Sequence, residues 1–571
     1  MMSSRKRVRA LPAVAALALI VPVGVQAQDS GADDYVSGGG SPPAASDSRT
    51  SRSDAPQRQR LEVQPYIEVS QAVLAELSPG DDVVTYTQLA AGVEASVQGR
   101  NNGGSVSLRY ERNIGYGDAA LSSDSVTGIA RGYASVVPQV LTVEAGALAA
   151  RTRVDNGGGA GLGGVDGSSR DSESRIYSAY AGPNLSTRLG EADVSANYRF
   201  GYTRAEAPDA LAITPGAPPV DVFDDSTVHS ASARVGVRPE TVLPVGLGVG
   251  GGFYQEDISN LDQRVRDAYF RADVAVPLGR TVQLVGGVGY EDVEVSSRDA
   301  VIDSVTGLPQ IDGQGRFVTD SSSPRRIAFE TDGLIWDVGV VWRPSRRTAF
   351  EAHYGRRYDS DTYYGSFAYA PDSRRSLNIS VYDGISGFGG AINRALVALP
   401  TSFEAGRNPV TGDITGCVTS LQSGSCFGGA LASVRSSVFR SRGGVLSYTQ
   451  AIGRMSTGFG LGYDRRTFIA APGTVLAAAD GLSEESFYGS VFLSGPVGES
   501  GAFTVNAYGN YLTSDFTDSE AWALGTSASY NQQLYLGLSA RAAVALDYLD
   551  SDVTGEDLKT ASALVGLRYD F

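Results

Sequence analysis

The chain ends in Ala563-Leu564-Val565-Gly566-Leu567-Arg568-Tyr569-Asp570-Phe571, and this stretch decides the fold. Its apolar residues fall mainly on one phase of a two-residue period, whereas Arg568 and Asp570 fall on the other phase. Such alternation places apolar side chains on one face of a β-strand and polar side chains on the opposite face. The pattern therefore predicts a final strand that separates an apolar environment from an aqueous one.

The same alternation recurs in long segments from residue 61 onward. In the clearest of them the apolar series is Leu534, Leu536, Leu538, Ala540, Ala542, Val544, Leu546 and Tyr548, opposed by Ser539, Arg541 and Asp547. Comparable series begin at Leu89, Leu141, Val194 and Leu334. A soluble β-sandwich seldom contains so many strands of this length. Aromatic residues near several strand ends fit the interfacial girdles of a membrane barrel.

The connections between these segments alternate in length. Tight turns are predicted at residues 101–104, 138–139, 277–280, 344–346, 371–373, 452–454 and 496–498. Longer polar connections fall mostly between them, at 154–173, 207–225, 298–327, 384–433 and 470–482. Outer-membrane barrels have this asymmetry, with short periplasmic turns and longer extracellular loops.

We therefore predict an all-β fold in which residues 61–571 form a single-chain transmembrane antiparallel β-barrel in the outer membrane. The pattern indicates about 22 strands, within a range of roughly 20–24. The final strand, with Leu567, Tyr569 and the terminal Phe571, resembles the signal by which the bacterial barrel-assembly machinery recognises its clients. We expect lipid and lipopolysaccharide to surround the barrel.

The N-terminus has the layout of a secretory signal peptide. Basic residues precede an apolar run from Ala10 to Val25, and Val25-Gln26-Ala27 is a small-residue cleavage site. We expect residues 1–27 to be removed after export and residues 28–60, rich in Ser, Asp and Pro, to form a disordered periplasmic tail. A membrane-anchoring helix is the alternative, but two prolines interrupt a run that is short for a span.

Composition excludes several classes of function. With the four basic residues of the signal subtracted from 47, against 63 acidic residues, the mature chain has a net charge of −20 and is a poor nucleic-acid binder. Only His229 and His353 supply imidazoles. We therefore expect no metal site, no cofactor and no enzymatic activity.

Cys417 and Cys426 are the only cysteines, and they lie in a stretch rich in Gly and Ser. An exported protein folds in an oxidising compartment, so we expect a local disulfide between them. A metal site would need further Cys or His residues nearby.

Residues 384–433 form the longest connection. The part from Gly387 to Pro400 has the pattern of a short helix stopped by proline, and the cysteine loop follows it. A connection this long is either an external cap or a constriction folded into the lumen. We favour the lumen, because a helix with apolar residues needs a surface to pack against.

Many charged residues fall on the inward phase of the predicted strands, as a watery lumen allows. Those expected to line the lumen include Glu94, Arg109, Glu144, Arg199, Arg271, Asp337, Glu351 and Arg541. Pairing between neighbouring strands is one interpretation. The other is an eyelet, narrowed by residues 392–399, in which these arginines face these carboxylates and control ion selectivity.

The opening strand Val63-Gln64-Pro65-Tyr66-Ile67-Glu68-Val69 and the later segment Arg374-Arg375-Ser376-Leu377-Asn378-Ile379 resemble a known group. That group comprises the exopolysaccharide- and exosortase-associated outer-membrane β-barrels of proteobacteria. The likeness covers most of residues 61–571 and rests on strand pattern. Some similar chains carry the name of the translocase subunit YajC, a short inner-membrane protein with one spanning helix, and nothing in these residues supports that name.

Two functions remain open. The first is a porin-like channel, passive or gated, for polar solutes or an exported polysaccharide. The second is a non-conducting structural or adhesive surface barrel whose lumen is filled by residues 384–433. A TonB-dependent receptor has a similar strand number but needs a folded plug domain ahead of its barrel, which the predicted tail does not provide. The sequence indicates no particular solute and no oligomeric state.

Overall fold

The computed structural model describes residues 60–571 except 117–121, 155–159, 162–172, 207–221, 314–315, 421–424, 427, 432, 517 and 552–555. The expected signal peptide, residues 1–27, lies outside the described residues, as does the expected tail except for its last residue. That residue, Arg60, begins the first strand.

Long antiparallel strands form one closed sheet, and their bounds follow in chain order. They are β1 (Arg60–Ser78), β2 (Val83–Gln98), β3 (Asn102–Tyr116), β4 (Ser123–Val137), β5 (Leu141–Val154), the two-residue β6 (Ala160–Gly161), β7 (Glu173–Leu189), β8 (Ala192–Glu206), β9 (Asp225–Val237), β10 (Gly246–Ile258), β11 (Gln263–Pro277), β12 (Val282–Ser297), β13 (Arg326–Ser345), β14 (Thr348–Arg357), β15 (Ser360–Asp372), β16 (Arg375–Ser386), β20 (Phe439–Ile452), β21 (Met455–Phe468), β22 (Ser483–Val497), β23 (Gly501–Ser514), β24 (Ser519–Tyr535), β25 (Leu538–Ser551) and β26 (Glu556–Asp570).

The elements between β16 and β20 are separate from the wall. They are helix α1 (Phe388–Val397), strands β17 (Glu404–Arg407), β18 (Ile414–Thr419) and β19 (Ser425–Cys426), which form a small sheet, and a 3-10 turn (Gly428–Leu431). Two further 3-10 turns, Asn260–Asp262 and Ala477–Ala479, lie in wall connections.

The sheet closes because β1 pairs with the last strand, β26. Tyr66 lies opposite Asp570 and Ser70 opposite Gly566 in this antiparallel pair. The amide of Phe571 also donates a hydrogen bond to the Pro65 carbonyl at 3.0 Å. Because β6 pairs only with β5, the ring itself contains 22 strands. The predicted all-β barrel of about 22 strands is therefore confirmed.

The connections differ between the two ends of the barrel. At the end that holds Arg60 and Phe571, the described turns are short, with 190–191 and 346–347 as examples. At the opposite end the chain makes long excursions, including 298–325 and 387–438. The predicted tight turns all fall at the first end. The predicted connections 298–327, 384–433 and 470–482 fall at the second, whereas most of 154–173 and 207–225 lies outside the described residues. We call these ends periplasmic and extracellular, following the usual arrangement of such barrels.

The polarity of the barrel is the reverse of that of a soluble protein. On β13 the side chains of Leu334 and Val338 are 65% and 57% exposed on the outside, whereas Asp337 between them is 6% exposed. On β1 the outward Val69 is exposed and the inward Glu68 is buried. An apolar exterior around a polar interior requires a lipid surrounding, and a closed barrel satisfies every backbone group within it. The protein is thus an outer-membrane barrel. Among the described residues, no helix is long and apolar enough to cross a membrane.

A charge placed on the outward face should destabilise the barrel. We expect Val338→Lys to lower the free energy of unfolding by ~2–4 kcal/mol, because the ammonium would be moved into hydrocarbon near mid-membrane. Urea unfolding in lipid vesicles, followed by tryptophan fluorescence, measures this. Val305→Lys is the matched control, since Val305 is 91% exposed in an extracellular loop. Equal stability of the two variants would contradict the lipid-facing assignment of β13.

Candidate functional site

The segment between β16 and β20 fills much of the lumen. Ser386 and Phe439 are direct partners in the wall, so residues 387–438 leave and return at the same rung of the ladder. We call residues 387–438 the plug. The amide of Gln98, at the periplasmic end of β2, donates to the Ser402 hydroxyl at 3.2 Å. The plug therefore reaches through the barrel from the extracellular end and is not an external cap.

A buried carboxylate of the wall receives the first turn of α1. Glu256 of β10 accepts hydrogen bonds from the amides of Gly387 and Gly390 at 2.7 and 2.8 Å. Both amides belong to the helix start, where unpaired N–H groups and the helix dipole favour a negative charge. The hydroxyl of Tyr254 donates to the same carboxylate at 2.7 Å. Glu256 thus fixes the position of the helix although it lies far from it in sequence.

The apolar face of α1 packs against the wall. Phe388, Ile392 and Leu396 are buried, and the ring of Phe388 lies 5.0 Å from that of Phe223, measured between centroids. The amide of Asn393 donates to the Thr203 hydroxyl of β8 at 3.0 Å. The helix predicted within Gly387–Pro400 is therefore present, and the wall is the surface that it packs against.

A second attachment lies after the helix. Arg151 of β5 forms a two-pronged ion pair with Asp413 of the plug, with both nitrogen–oxygen distances at 2.9 Å. Both side chains are almost fully buried. Arg541 of β25 donates to the carbonyl of Pro409 at 2.7 Å. Arg407 of the plug donates to the Thr127 hydroxyl at 2.8 Å.

A third attachment holds the returning chain. Arg466 of β21 donates to the carbonyl of Ser433 at 3.0 Å. Arg435 of the plug pairs with Glu484 of β22 at 2.6 Å, and Gln263 donates to the carbonyl of Ser436 at 3.0 Å. The three attachments together contact strands on opposite sides of the ring.

The charged residues predicted for the lumen do point inward, but most pair along the wall. The distances are 2.7 Å for Arg199–Glu144, 2.6 Å for Arg271–Asp337, 3.0 Å for Arg109–Glu68, 2.9 Å for Arg541–Glu68, 3.0 Å for Glu351–His353 and 2.8 Å for Glu94–Ser107. Only Arg199–Glu144 and Arg271–Asp337 join an arginine and a carboxylate from the predicted set. The charged side chains therefore pair along the wall, which is the first of the two interpretations of the sequence. They do not form an eyelet.

A glycine on the strand between the two partners leaves the space in which one of these ion pairs forms. Arg271 of β11 reaches Asp337 of β13 across Gly287 of β12. A Cβ atom at position 287 would lie 2.0 Å from the Arg271 guanidinium. His353 lies on the other side of Asp337, at 2.7 Å, and stacks on Tyr364 with 4.5 Å between the centroids. His353 is held as a wall residue here, and the described residues contain no cluster able to hold a metal ion.

Apart from Arg541, sequence reasoning did not single out the wall residues that hold the plug. Glu256, Arg151 and Arg466 all fall on the inward phase of their strands, which was the available signal. That phase identifies the side of the sheet and carries no information about a partner hundreds of residues away.

An apolar cluster lies at the extracellular end of the barrel. Phe439, Phe468 and Phe516 contact one another, with centroid distances of 5.8 and 5.0 Å along the series. Leu261 and Ala471 are fully buried at this end. The extracellular loop 298–325 makes polar contacts at the same end, because Arg316 donates to the carbonyls of Ala205 and Phe223 at 3.0 and 3.2 Å.

The periplasmic half of the lumen is different and contains a cavity of about 280 Å³. One side of the cavity is the plug, including Arg407 and the exposed Glu404. The other side is the wall from β22 through β26 to β3. The wall residues that line it all belong to the periplasmic halves or middles of their strands.

The two cysteines lie within the plug. Cys417 of β18 and Cys426 of β19 are direct partners in an antiparallel pair. This register is suited to a disulfide between neighbouring strands, and the covalent bond stays a prediction.

No protein-family model and no curated protein matches the sequence. Similar solved structures include the FrpB iron transporter from Neisseria meningitidis, with a TM-score of 0.41, 10% identity, and coverage of 88% of this chain and 81% of that chain. The siderophore receptor PiuA from Acinetobacter baumannii has a TM-score of 0.41 and 9% identity, covering 89% and 82%. The ferric-catecholate import receptor Fiu from E. coli K12 has a TM-score of 0.42 and 9% identity, covering 88% and 81%. These are distant likenesses, and the cargoes in their names are those of the other proteins.

Breaking the buried ion pair should loosen the plug and leave the wall intact. We expect Asp413→Ala to destabilise the attachment by about 3–5 kcal/mol, because Arg151 would stay buried without its partner. The measurement is proteolysis of the plug in detergent, with heat-modifiable migration reporting the barrel. Asp124→Ala is the control, since the Arg112–Asp124 pair is about half exposed and contributes little. A plug equally resistant in both variants would contradict the attachment.

The cysteine pair should be oxidised in the purified protein. We expect no labelling of Cys417 or Cys426 by maleimide until a reductant is added, because their register allows a disulfide. Reduction should raise proteolysis of the plug only, since the wall pairs without it. Quantitative labelling of unreduced, unfolded protein would refute the disulfide.

Proposed function

We propose that this outer-membrane barrel is a channel for polar solutes, closed at rest by the plug. The observation that supports this most directly is the water-accessible polar cavity between the plug and the wall on β22–β26. A lumen filled only for structural support has no need of such a cavity. Passage through the barrel then requires displacement of part of the plug.

The attachments of the plug are compatible with movement. Several are charged or polar contacts, such as Arg151–Asp413 and Arg435–Glu484, and buried ion pairs add less stability than apolar packing of the same volume. The plug also enters and leaves the wall at adjacent partners, Ser386 and Phe439. The wall ladder therefore stays complete when the plug moves.

A non-conducting structural or adhesive barrel is the second candidate. The apolar packing of Phe439, Phe468 and Phe516 at the extracellular end favours it, since opening this region would expose aromatic surface to water. In that case the extracellular loops carry the function. An exported polysaccharide remains a candidate cargo of the channel, and recognition of Leu567, Tyr569 and Phe571 by the assembly machinery remains a prediction.

Conductance separates the two candidates. We expect the intact protein to be nearly silent in planar bilayers, and replacement of residues 387–438 by a four-residue Gly/Ser turn to produce large, stable openings. The turn is short enough because Ser386 and Phe439 already face each other. Asp413→Ala should give brief openings, because it removes only one contact of the second attachment.

The control is replacement of the extracellular residues 303–308 by a turn of the same composition, which should leave conductance unchanged. Heat-modifiable migration must show a folded barrel in each variant. A folded barrel that stays silent without the plug would defeat the channel proposal and leave the structural one.

A further inference from the structure

The cavity in the periplasmic half has two chemically different sides. The wall side carries six neutral polar side chains at alternate positions of β22, β23 and β24: Ser490, Ser494, Thr504, Asn506, Ser529 and Asn531. Within the part of the chain that the structure describes, these six side chains have no hydrogen-bond partner. They therefore present free donors and acceptors to the cavity.

The rest of the wall lining, on β25, β26 and β3, is charged, and carboxylates compensate its charge. Arg109 pairs with both Glu68 and Glu111, at 3.0 and 2.9 Å. Arg541 pairs with the same Glu68 at 2.9 Å, and Arg568 pairs with Asp570 at 2.8 Å. Three of the four guanidinium groups around the cavity are thus matched by carboxylates, and the fourth, Arg407, donates to the Ser107 and Thr127 hydroxyls at 2.9 and 2.8 Å. An anionic solute would have to compete with these carboxylates, whereas an uncharged solute would not.

Aromatic rings complete the lining. Phe492 lies between Ser490 and Ser494 on β22, and Tyr508 lies on the neighbouring strand. The Tyr508 hydroxyl is used by Asp547 at 2.8 Å, which fixes the orientation of the ring. Amide and hydroxyl groups beside fixed rings suit a solute that has many hydroxyl groups and apolar C–H faces.

The cavity lies toward the periplasmic end of the barrel. Its lining residues lie in the periplasmic halves or middles of their strands, and Glu404 at its edge is exposed. Toward the extracellular end, Phe439, Phe468 and Phe516 pack together.

From these observations we propose that the cavity is a binding site, loaded from the periplasm, for an uncharged, hydroxyl-rich solute of the oligosaccharide class. The proposal deepens the proposed channel function and rests on it for its physiological meaning. Because the site is loaded from the periplasm, the solute would move from the periplasm to the outside of the cell. The size of the cavity, about 280 Å³, admits one or two sugar rings at a time.

A cysteine reporter tests both the side and the ligand. Asn531→Cys places a thiol in the cavity, and Ser494→Cys is a second reporter should the first variant fail to fold. Gly279→Cys reports the periplasmic end, where a Cβ meets no atom within 4 Å. Val305→Cys reports the extracellular end. Each variant is reconstituted in lipid vesicles and labelled with an impermeant maleimide before and after detergent lysis, with the unsubstituted chain as background.

We expect the cavity thiol to be labelled in the same vesicle population as position 279 and not in that of position 305. Maltohexaose, the neutral probe, should slow labelling of the cavity thiol about tenfold at about ten times its Kd. Labelling at position 279 should not change. A hexameric oligogalacturonate, the anionic probe of equal length, should protect far less.

Two results would overturn the proposal. If the cavity thiol follows position 305, the site opens to the outside and the direction is wrong. If maltohexaose gives no protection, or the anionic probe protects equally well, the ligand class is wrong. Neither result depends on conductance, so failure of the binding site is distinguishable from failure of the channel.

Discussion

The structure depends on one constraint, which is that no backbone hydrogen-bonding group is left unpaired in lipid. A sheet meets this constraint only when its first and last strands meet, and here Ser70 of β1 lies opposite Gly566 of β26. Closure fixes the register of the whole ring. Because side chains alternate along each strand, closure also divides them into an apolar outside and a polar inside. The exposure of Val338 and the burial of Asp337 are two results of the same requirement.

A ring of 22 strands encloses more volume than its own side chains can fill. This chain fills much of that volume from within, with a plug inserted between two paired wall positions. The charged groups inside the barrel then pair with partners close to them. Arg271 and Asp337 meet along the wall because Gly287 leaves space between them, whereas Glu256 is neutralised by a helix start. Buried polar groups are expected to find such partners, and the plug supplies those that the wall lacks.

The sequence predicts the wall well and the contents of the lumen less well. The alternation of apolar and polar residues from Leu334 to Trp342 predicts which side chains face outward. Turns that contain proline and glycine predict the periplasmic end. Both signals are local. The pattern that predicts a helix between Gly387 and Pro400 is also local, and the structure contains this helix as α1. The partners of Arg109 were not predictable in the same way. Period two places Arg109, Glu94 and Glu68 on one face. The pair with Glu111 is local, since both residues lie on β3, but the choice of Glu68 on β1 depends on the stagger between strands, which no local pattern encodes. The pairing of Arg151 with Asp413 joins residues 262 positions apart.

The helix and the hairpin of the plug differ in their contacts with the wall and with the cavity. This difference indicates which of the two moves in the proposed channel. Outward displacement of α1 would expose Phe388, Ile392 and Leu396 to water, at about 1.5–3 kcal/mol for each side chain, and would leave Glu256 without its amide donors. The hairpin that carries Arg407 and Asp413 is attached to the wall by hydrogen bonds and ion pairs and by the apolar packing of Val410 against Tyr86 and Leu564, and it borders a cavity that already admits water. Water can replace the polar contacts as they separate, and this lowers the barrier to movement. In the proposed channel the helix is the anchor of the plug, and the hairpin, which lines the periplasmic cavity, is the part whose displacement would join that cavity to the rest of the lumen.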